Sequence, residues 1–242
     1  MLRNLFSKRK ESFLPSTTDI HSHLLPGIDD GVQTIEESVD VITFLSTLGF
    51  KKLITTPHVM NDYYKNTPEI IRSKLNEVKE AIHKEGLEVE IEAAAEYYLD
   101  EHFYEQIIKG NELLTFGDNY ILFETSFTVE PLLLKEVVFK LTSNGYRPVF
   151  AHPERYRYLH ENTKLLNELI DQQLIFQLNL LSLEGYYSKP VQKMALQLLK
   201  RNAIHFVGSD CHNMKHAIAF KNALHHKNME YLESIKLYNS TL

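Results

Sequence analysis

Apolar positions along this chain fall into two alternating rhythms. Ile35, Val39, Ile42 and Leu45 stand three or four apart, the spacing that lines one stripe of an α-helix. Thr34 and Glu37 make a capping box at its start, and Gly49 ends it. A short apolar run from Lys52 to Thr56 follows directly and reads as a strand. Thr67 and Pro68 then make an N-cap and first-turn pair, after which Ile71, Leu75, Val78 and Ile82 form a second helical stripe ending near Gly86. The alternation continues through strand Val89 to Ala94, strand Tyr120 to Phe123, helix Leu132 to Ser143 and strand Pro148 to Ala151. Helix Thr163 to Asp171, strand Leu174 to Leu178, helix Pro190 to Arg201 and strand His205 to Val207 complete it. Repeated strand-then-helix units predict a parallel α/β sheet, and about seven of them favour closure into a barrel over an open doubly wound sheet. No Gly-x-Gly-x-x-Gly turn follows the first strand, so nothing signals a dinucleotide fold.

Metal-type side chains cluster where these strands end. His21 and His23 close the first strand in Asp19-Ile-His-Ser-His, His58 follows Thr56-Pro57, and Glu96 follows the third strand. Glu124 ends Ile121-Leu-Phe, His152 ends Val149-Phe-Ala, and Asp210 and His212 follow Val207-Gly-Ser. In a (β/α) barrel every strand opens its carboxyl end on one face, so groups far apart in sequence converge there. Two residues apart on a strand, His21 and His23 would point to the same side. Imidazoles and carboxylates without thiolates suit zinc, manganese or iron. His83, His102, His160, His205, His216, His225 and His226 fall in helical, loop or strand-start positions and read as surface or structural.

The 242 residues, 43% of them hydrophobic, suffice for one barrel-sized domain. Residues 1–16, with Arg3, Lys8, Arg9 and Lys10, read as a basic N-terminal arm, and 17–242 as the domain. Lys plus Arg number 26 against 32 acidic residues, a net charge of −6 that disfavours nucleic acid as a partner. The sequence shows neither an apolar run long enough to span a membrane nor a signal peptide, so the expected location is the cytoplasm. The lone Cys211 agrees with a reducing compartment. Cys211 also lies between two proposed ligands, but position 217 is alanine where a cysteine-dependent phosphatase needs arginine, so the cysteine reads as a small residue filling a turn.

Asp19-Ile-His-Ser-His-Leu-Leu-Pro-Gly-Ile-Asp-Asp-Gly, Thr56-Pro-His, Ala151-His-Pro-Glu-Arg-Tyr and Gly208-Ser-Asp-Cys-His-Asn, taken together and in order, resemble the polymerase and histidinol phosphatase (PHP) superfamily. Within it they are most similar to the bacterial tyrosine-protein phosphatases of capsular and exopolysaccharide biosynthesis. The resemblance implies a single-domain distorted (β/α)7 TIM-like barrel with three divalent metal ions, usually manganese. It assigns His21, His23, Glu96 and Asp210 to a first ion. Glu96 would bridge to a second ion held also by Glu124 and His152, while Asp30, His58 and His212 would hold a third. The choice of Asp30 over Asp29 follows from the family motif alone. Arg155 matches the family's phosphate-binding arginine, the expected catalytic and substrate-binding cation. Where the family often carries a second arginine, this chain reads Met214-Lys-His-Ala, leaving Lys215 as the nearest charge.

The chemistry so implied is hydrolysis of phosphotyrosine by in-line attack of a metal-bridging hydroxide. The expected partner is a phosphotyrosine protein, namely a membrane-associated bacterial tyrosine kinase. Rival readings are a phosphatase of histidinol phosphate or sugar phosphates, a nuclease disfavoured by the acidic balance, and a metal-binding regulatory module. Asp19 and Glu154 are candidates to orient ligating imidazoles or, equally, to make loop hydrogen bonds, and Asn179, ending its own strand, is a weaker candidate either to touch a metal or to support a residue that does. The pairs Tyr63-Tyr64, Tyr97-Tyr98 and Tyr186-Tyr187 are candidates to line the cleft or, equally, ordinary surface residues.

Overall fold

The computed structural model describes residues 13–242. Strands β1 (Thr18–Asp19), β2 (Lys52–Thr55), β3 (His58–Val59), β4 (Glu90–Ala93), β5 (Glu96–Tyr98), β6 (Tyr120–Glu124), β7 (Arg147–Ala151), β8 (Ile175–Asn179) and β9 (Phe206–Gly208) are all parallel where they pair. Helices α1 (Ile35–Thr47), α2 (Pro68–Lys84), α3 (Glu101–Lys109), α4 (Leu134–Ser143) and α5 (Arg157–Glu161) lie between them in the first two thirds. Helices α6 (Thr163–Asp171), α7 (Leu181–Glu184), α8 (Lys189–Lys200) and α9 (Met214–Ala223) follow.

The ladders form two sheets, one in the order β1-β2-β4 and one in the order β3-β5-β6-β7-β8-β9. Thr56-Pro57 interrupts β2 before β3, and Ala94-Ala95 interrupts β4 before β5, so these four short ladders trace two strand positions and the whole traces seven. In place of a continuous ladder between β9 and β1, a single parallel bridge joins Ser22 to Cys211. It is flanked by His23 N donating to Cys211 O at 2.9 Å and Asp210 N donating to His21 O at 2.8 Å. The expected first strand therefore stops at Asp19, and His21 and His23 lie beyond it in an extended segment held by the turn after β9.

Strand parity sorts the core into two layers. Ile20, Ile54, Ala94, Leu122, Val149, Ala151 and Phe206 pack together inside the strands, with Phe116 and Tyr120. The alternate residues, among them Leu53, Ile121, Phe123, Phe150, Phe176, Leu178 and Val207, pack outward against the helices. The inner parity that buries Leu122 carries Glu124 to the strand end; that of Ile175 carries Gln177 and Asn179; that of Phe206 carries Gly208 and Asp210.

Boundaries differ from the sequence expectation for physical reasons. The helix expected from Leu132 begins at Leu134, because Pro131 to Leu133 forms a turn that leaves Leu132 fully exposed. Helix α3 lacks a long apolar stripe, its buried residues being Phe103 and Ile107, yet it is fixed by an Asp100 N-cap and a left-handed Gly110. Of the basic arm, Arg3, Lys8, Arg9 and Lys10 lie outside the described residues. Its end packs on the core through Phe13 and Leu14, with Phe13 N donating to Leu224 O. Among the described residues no helix is long and apolar enough to cross a membrane.

Candidate metal centre

All nine ligand-type residues singled out from the sequence meet at the carboxyl ends of the strands. Their donor atoms form four overlapping sets, and within each set all atoms lie within 4.8 Å of one another. The sets are His23, Asp30, His58 and His212; His21, His23 and Glu96; His21, His152 and Asp210; and His58, Glu96 and Glu124. His21 Nε2 stands 3.2 Å from Glu96 Oε2 and 3.5 Å from Asp210 Oδ1, while His23 Nε2 stands 3.5 and 3.4 Å from the same two oxygens. Asp30 Oδ1 is 3.5 Å from the Nε2 atoms of both His58 and His212. His152 Nε2 is 3.1 Å from Glu96 Oε1 and 4.0 Å from Glu124 Oε2. The grouping differs from the one implied by resemblance: His152 falls with His21 and Asp210, and Glu124 falls with His58, 3.1 Å away, and Glu96.

Neighbouring atoms aim the imidazoles. His21 Nδ1 meets Gln177 Oε1 at 2.9 Å, His23 Nδ1 meets Asp29 Oδ2 at 2.8 Å, and His212 Nδ1 meets the Asp210 carbonyl at 2.9 Å. Each oxygen accepts the Nδ1 proton and so leaves Nε2 as a lone pair facing the cluster. Asp29 and Asp30 therefore do different work. Asp29 is buried and also accepts from His58 N at 3.1 Å and Gly31 N at 2.9 Å, whereas Asp30 is exposed and reaches the cluster itself. Two glycines make room. A Cβ on Gly31 would lie 2.2 Å from His23 O, and one on Gly208 would lie 2.6 Å from His21 Cβ and 2.8 Å from Gln177 Nε2.

Of the two readings of Asp19 and Glu154, their hydrogen bonds fit the one in which each ties loop and backbone groups together. Asp19 accepts from Ser209 N and Ser209 Oγ, tying β1 to the turn after β9. Glu154 accepts from Asn179 N at 3.0 Å and Ser182 Oγ at 2.7 Å, bracing the Pro153–Arg155 turn against α7. Burial raises Asp19 to about 6 and Glu154 to about 7. Gln177, which no sequence argument singled out, performs the role instead: its Oε1 holds His21 and also accepts from His152 N. A polar residue at an inward position in the middle of a buried strand was the available signal.

The electrostatics fit a cation. Burial by itself would hold His21 low, but Glu96 and Asp210 outweigh it and lift the imidazole to about 9. His23 rises likewise against its burial, through Asp29 and Asp210. The hydrogen bond with His212 draws Asp30 down to about 2. Buried His58 Nδ1, Glu96 Oε2 and His152 Nδ1 have no aligned hydrogen-bond partner, although the first two atoms are 3.2 Å apart. Crowded oxygen and nitrogen donors, some of them buried without an aligned hydrogen-bond partner, are what divalent zinc, manganese or iron take up.

Beside the cluster, Arg155 donates from Nη1 to Asp210 Oδ2 at 2.7 Å. Its guanidinium carbon lies over two aromatic rings, 4.6 Å from the Phe127 centre and 4.3 Å from that of Tyr187. Asn179 joins this arrangement, donating to Asp210 Oδ2 and to the Tyr187 hydroxyl, both at 2.8 Å. Lys215 is exposed in the first turn of α9; His216, by contrast, is half-buried and accepts from His212 N. Cys211 is buried, and burial pushes its thiol up, consistent with a turn-filling role. A cavity of about 300 Å³ opens over the cluster, lined by Arg155, Met60, Tyr63, Tyr64 and Phe127 as well as the ligand-type residues other than His21 and His23. Of the tyrosine pairs, Tyr97 belongs to the core, where its hydroxyl accepts from Leu114 N.

The sequence pattern of the capsular polysaccharide synthesis family CpsB/CapC matches residues 17–239. The chain is 34% identical over 198 residues to tyrosine-protein phosphatase YwqE of Bacillus subtilis, covering 81% of this chain and 78% of that protein. It is 30% identical to tyrosine-protein phosphatase CpsB of Streptococcus pneumoniae, covering 81% and 83% of the two. A crystal structure from a study of YwqE and CpsB as metal-dependent tyrosine phosphatases superposes with a TM-score of 0.77 at 29% identity, over 91% of this chain and 96% of that one. The phosphotriesterase homology protein of Escherichia coli shares the fold at a TM-score of 0.52 and 14% identity, over 94% and 95% of the two chains.

Proposed function

The chain belongs to the CpsB/CapC family of capsular polysaccharide synthesis, and from that premise we propose that it is a metal-dependent tyrosine-protein phosphatase, a hydrolase of phosphoric monoesters. The observation that supports this most is the meeting of five imidazoles and four carboxylates in one cluster beneath an open cavity that one guanidinium also lines.

In this reading His21, His23, Asp30, His58, Glu96, Glu124, His152, Asp210 and His212 hold three divalent ions, manganese being the expected metal and iron or zinc the alternatives. Such ions acidify a water and neutralise phosphoryl oxygens, the two things a phosphate monoester most needs for hydrolysis. Glu96 keeps the two halves of the cluster together, since Oε1 faces His152 and Oε2 faces His21 and His58. Gln177, Asp29 and the Asp210 carbonyl keep three imidazoles aimed before substrate arrives, which removes reorganisation from the reaction. Arg155 binds the phosphoryl oxygens with the N–H groups that Asp210 does not use. The flanking rings of Phe127 and Tyr187 hold its plane fixed.

The substrate is a phosphotyrosine protein, and the partner a membrane-associated bacterial tyrosine kinase. Because a kinase draws on ATP, the phosphatase that reverses it works in the cytoplasm. The test is phosphate release by chelator-treated protein resupplied with manganese, across a phosphotyrosine peptide, histidinol phosphate and sugar phosphates. Turnover of the peptide, dependent on the metal, is expected. Turnover confined to the small phosphometabolites would overturn the assignment.

A further inference from the structure

We propose that Tyr63 selects aryl over ring-free phosphate ligands at this site, by stacking on the phenyl ring of a bound phosphotyrosine; the inference rests on the phosphatase reading above. Tyr63 sits on a small hairpin that closes over one side of the cavity. Met60 N donates to Tyr64 O at 2.9 Å and Tyr64 N to Met60 O at 2.8 Å, and Tyr63 N turns back to Met60 O at 3.2 Å. Asn66 pins the base, its Nδ2 donating to Ile28 O at 2.9 Å and to His58 O at 2.7 Å. The hairpin is therefore built onto the same backbone that delivers His58.

Four large apolar side chains line the cavity, and three have other uses or little surface to offer. Tyr64 lays its ring on His58, with centroids 5.6 Å apart and planes 14° from parallel. Phe127 stacks on His152 at 5.8 Å and under the Arg155 guanidinium. Met60 is half-buried at the hairpin's base. Tyr63 alone of the four is mostly in solvent, 75% exposed, while still bordering the space shared by His58, Glu124 and Arg155. Its ring leans on that of Tyr64, with centroids 6.4 Å apart and planes 44° apart, which leaves most of its surface open toward the cavity rim and solvent. As the free wall of an ordered subsite it needs little further ordering to bind.

The chemistry of the ester explains what that wall distinguishes. In an aryl phosphate the ring lies between the phosphorus and the peptide backbone, at the height of the cavity rim once the phosphate reaches the cluster. Inorganic phosphate, or a seryl ester, places no ring there. Offset or edge stacking of one aromatic pair is worth a rate factor of roughly 3 to 10.

The experiment compares the full-length, manganese-loaded protein with Tyr63→Ala and Tyr63→Phe. It reads kcat and KM on a phosphotyrosine peptide, the inhibition constant of inorganic phosphate, and bound metal. Tyr63→Ala is expected to lower kcat/KM roughly 3- to 10-fold, chiefly through KM, with the phosphate inhibition constant and metal content unchanged, and Tyr63→Phe to behave as wild type. Equal loss of peptide and phosphate binding, no change in either, or the same defect in Tyr63→Phe would overturn the inference. Failure of the phosphatase reading looks different, because the wild-type protein itself would then leave the peptide intact.

Discussion

Asp29 is one residue from a proposed ligand, yet its removal should act through two other groups. Its Oδ2 accepts from His23 Nδ1 and His58 N, and its Oδ1 from Gly31 N. Asp29→Ala leaves the buried Gly31 N–H and the partly buried His58 N–H without acceptors, at about 1 to 3 kcal/mol each, and frees the His23 ring to turn. A total near 3 kcal/mol corresponds to a fall in melting temperature of roughly 5 to 12 °C for a chain of this size. Losing the partner that fixes a ligand's tautomer typically weakens metal binding by roughly 10- to 100-fold. Asp29→Asn separates the two effects. An amide has one acceptor oxygen for three donors, and its cheapest orientation keeps that oxygen on the side of His23 and His58 while its NH2 confronts Gly31 N. The Asn variant should therefore lose stability but keep more of its metal affinity than the Ala variant. Asp30→Ala, at an exposed side chain, should weaken metal binding with little change in the melting temperature of the chelated protein. Thermal melts with chelator and manganese titrations followed by calorimetry measure both quantities. If Asp29→Ala melts as wild type, or if Asp30→Ala is the variant that unfolds, the division of labour between the two carboxylates is wrong.

Arg155→Lys keeps the charge but loses the planar fork and its stacking on Phe127 and Tyr187, so steady-state kinetics should show KM raised and kcat lowered roughly 10-fold or more while bound metal is retained. Gly208→Ala drives a methyl group to within 2.6 Å of His21 Cβ, so a loss of about 1 to 3 kcal/mol in denaturant unfolding and a drop in bound manganese should appear together. At the opposite end of β9, His205 Nδ1 accepts from Phe176 N at 3.2 Å, and burial holds its imidazole below the usual range. The folded protein keeps it neutral while the unfolded chain takes up a proton as pH falls through about 6.5, so stability from this group is lost on acidification. His205→Asn, which accepts but does not titrate, should narrow the fall in melting temperature between pH 7.5 and 5.5, a difference of about 1 kcal/mol; equal pH slopes for the two proteins would rule this out.

What was legible in the sequence and what was not divide along a physical line. Helical stripes and strand runs could be read because burial imposes a period, and ligand-type residues could be read because the ends of parallel strands must open on one face. Helix α3 escaped because only two of its residues are buried, and capping at Asp100 and Gly110 does the work that a stripe does elsewhere. The seam between the two sheets escaped for a related reason. Thr56-Pro57 and Ala94-Ala95 break ladders that an apolar run makes look continuous, and the join at Ser22 and Cys211 is one bridge carried by a turn rather than by a strand. At the site, membership of the cluster follows from residue type and position, but the orientation of each ring does not. Whether Asp19, Glu154, Asp29 or Gln177 meets an imidazole depends on which way a side chain leaves a strand and on what sits opposite it in a neighbour more than a hundred residues away, as Gln177 sits opposite His21. Inward parity along β8 is the one local trace of that arrangement: a glutamine two residues before the strand-ending Asn179, at the next inward position after Ile175, which packs on the apolar inner layer, is placed to hold something polar above the core.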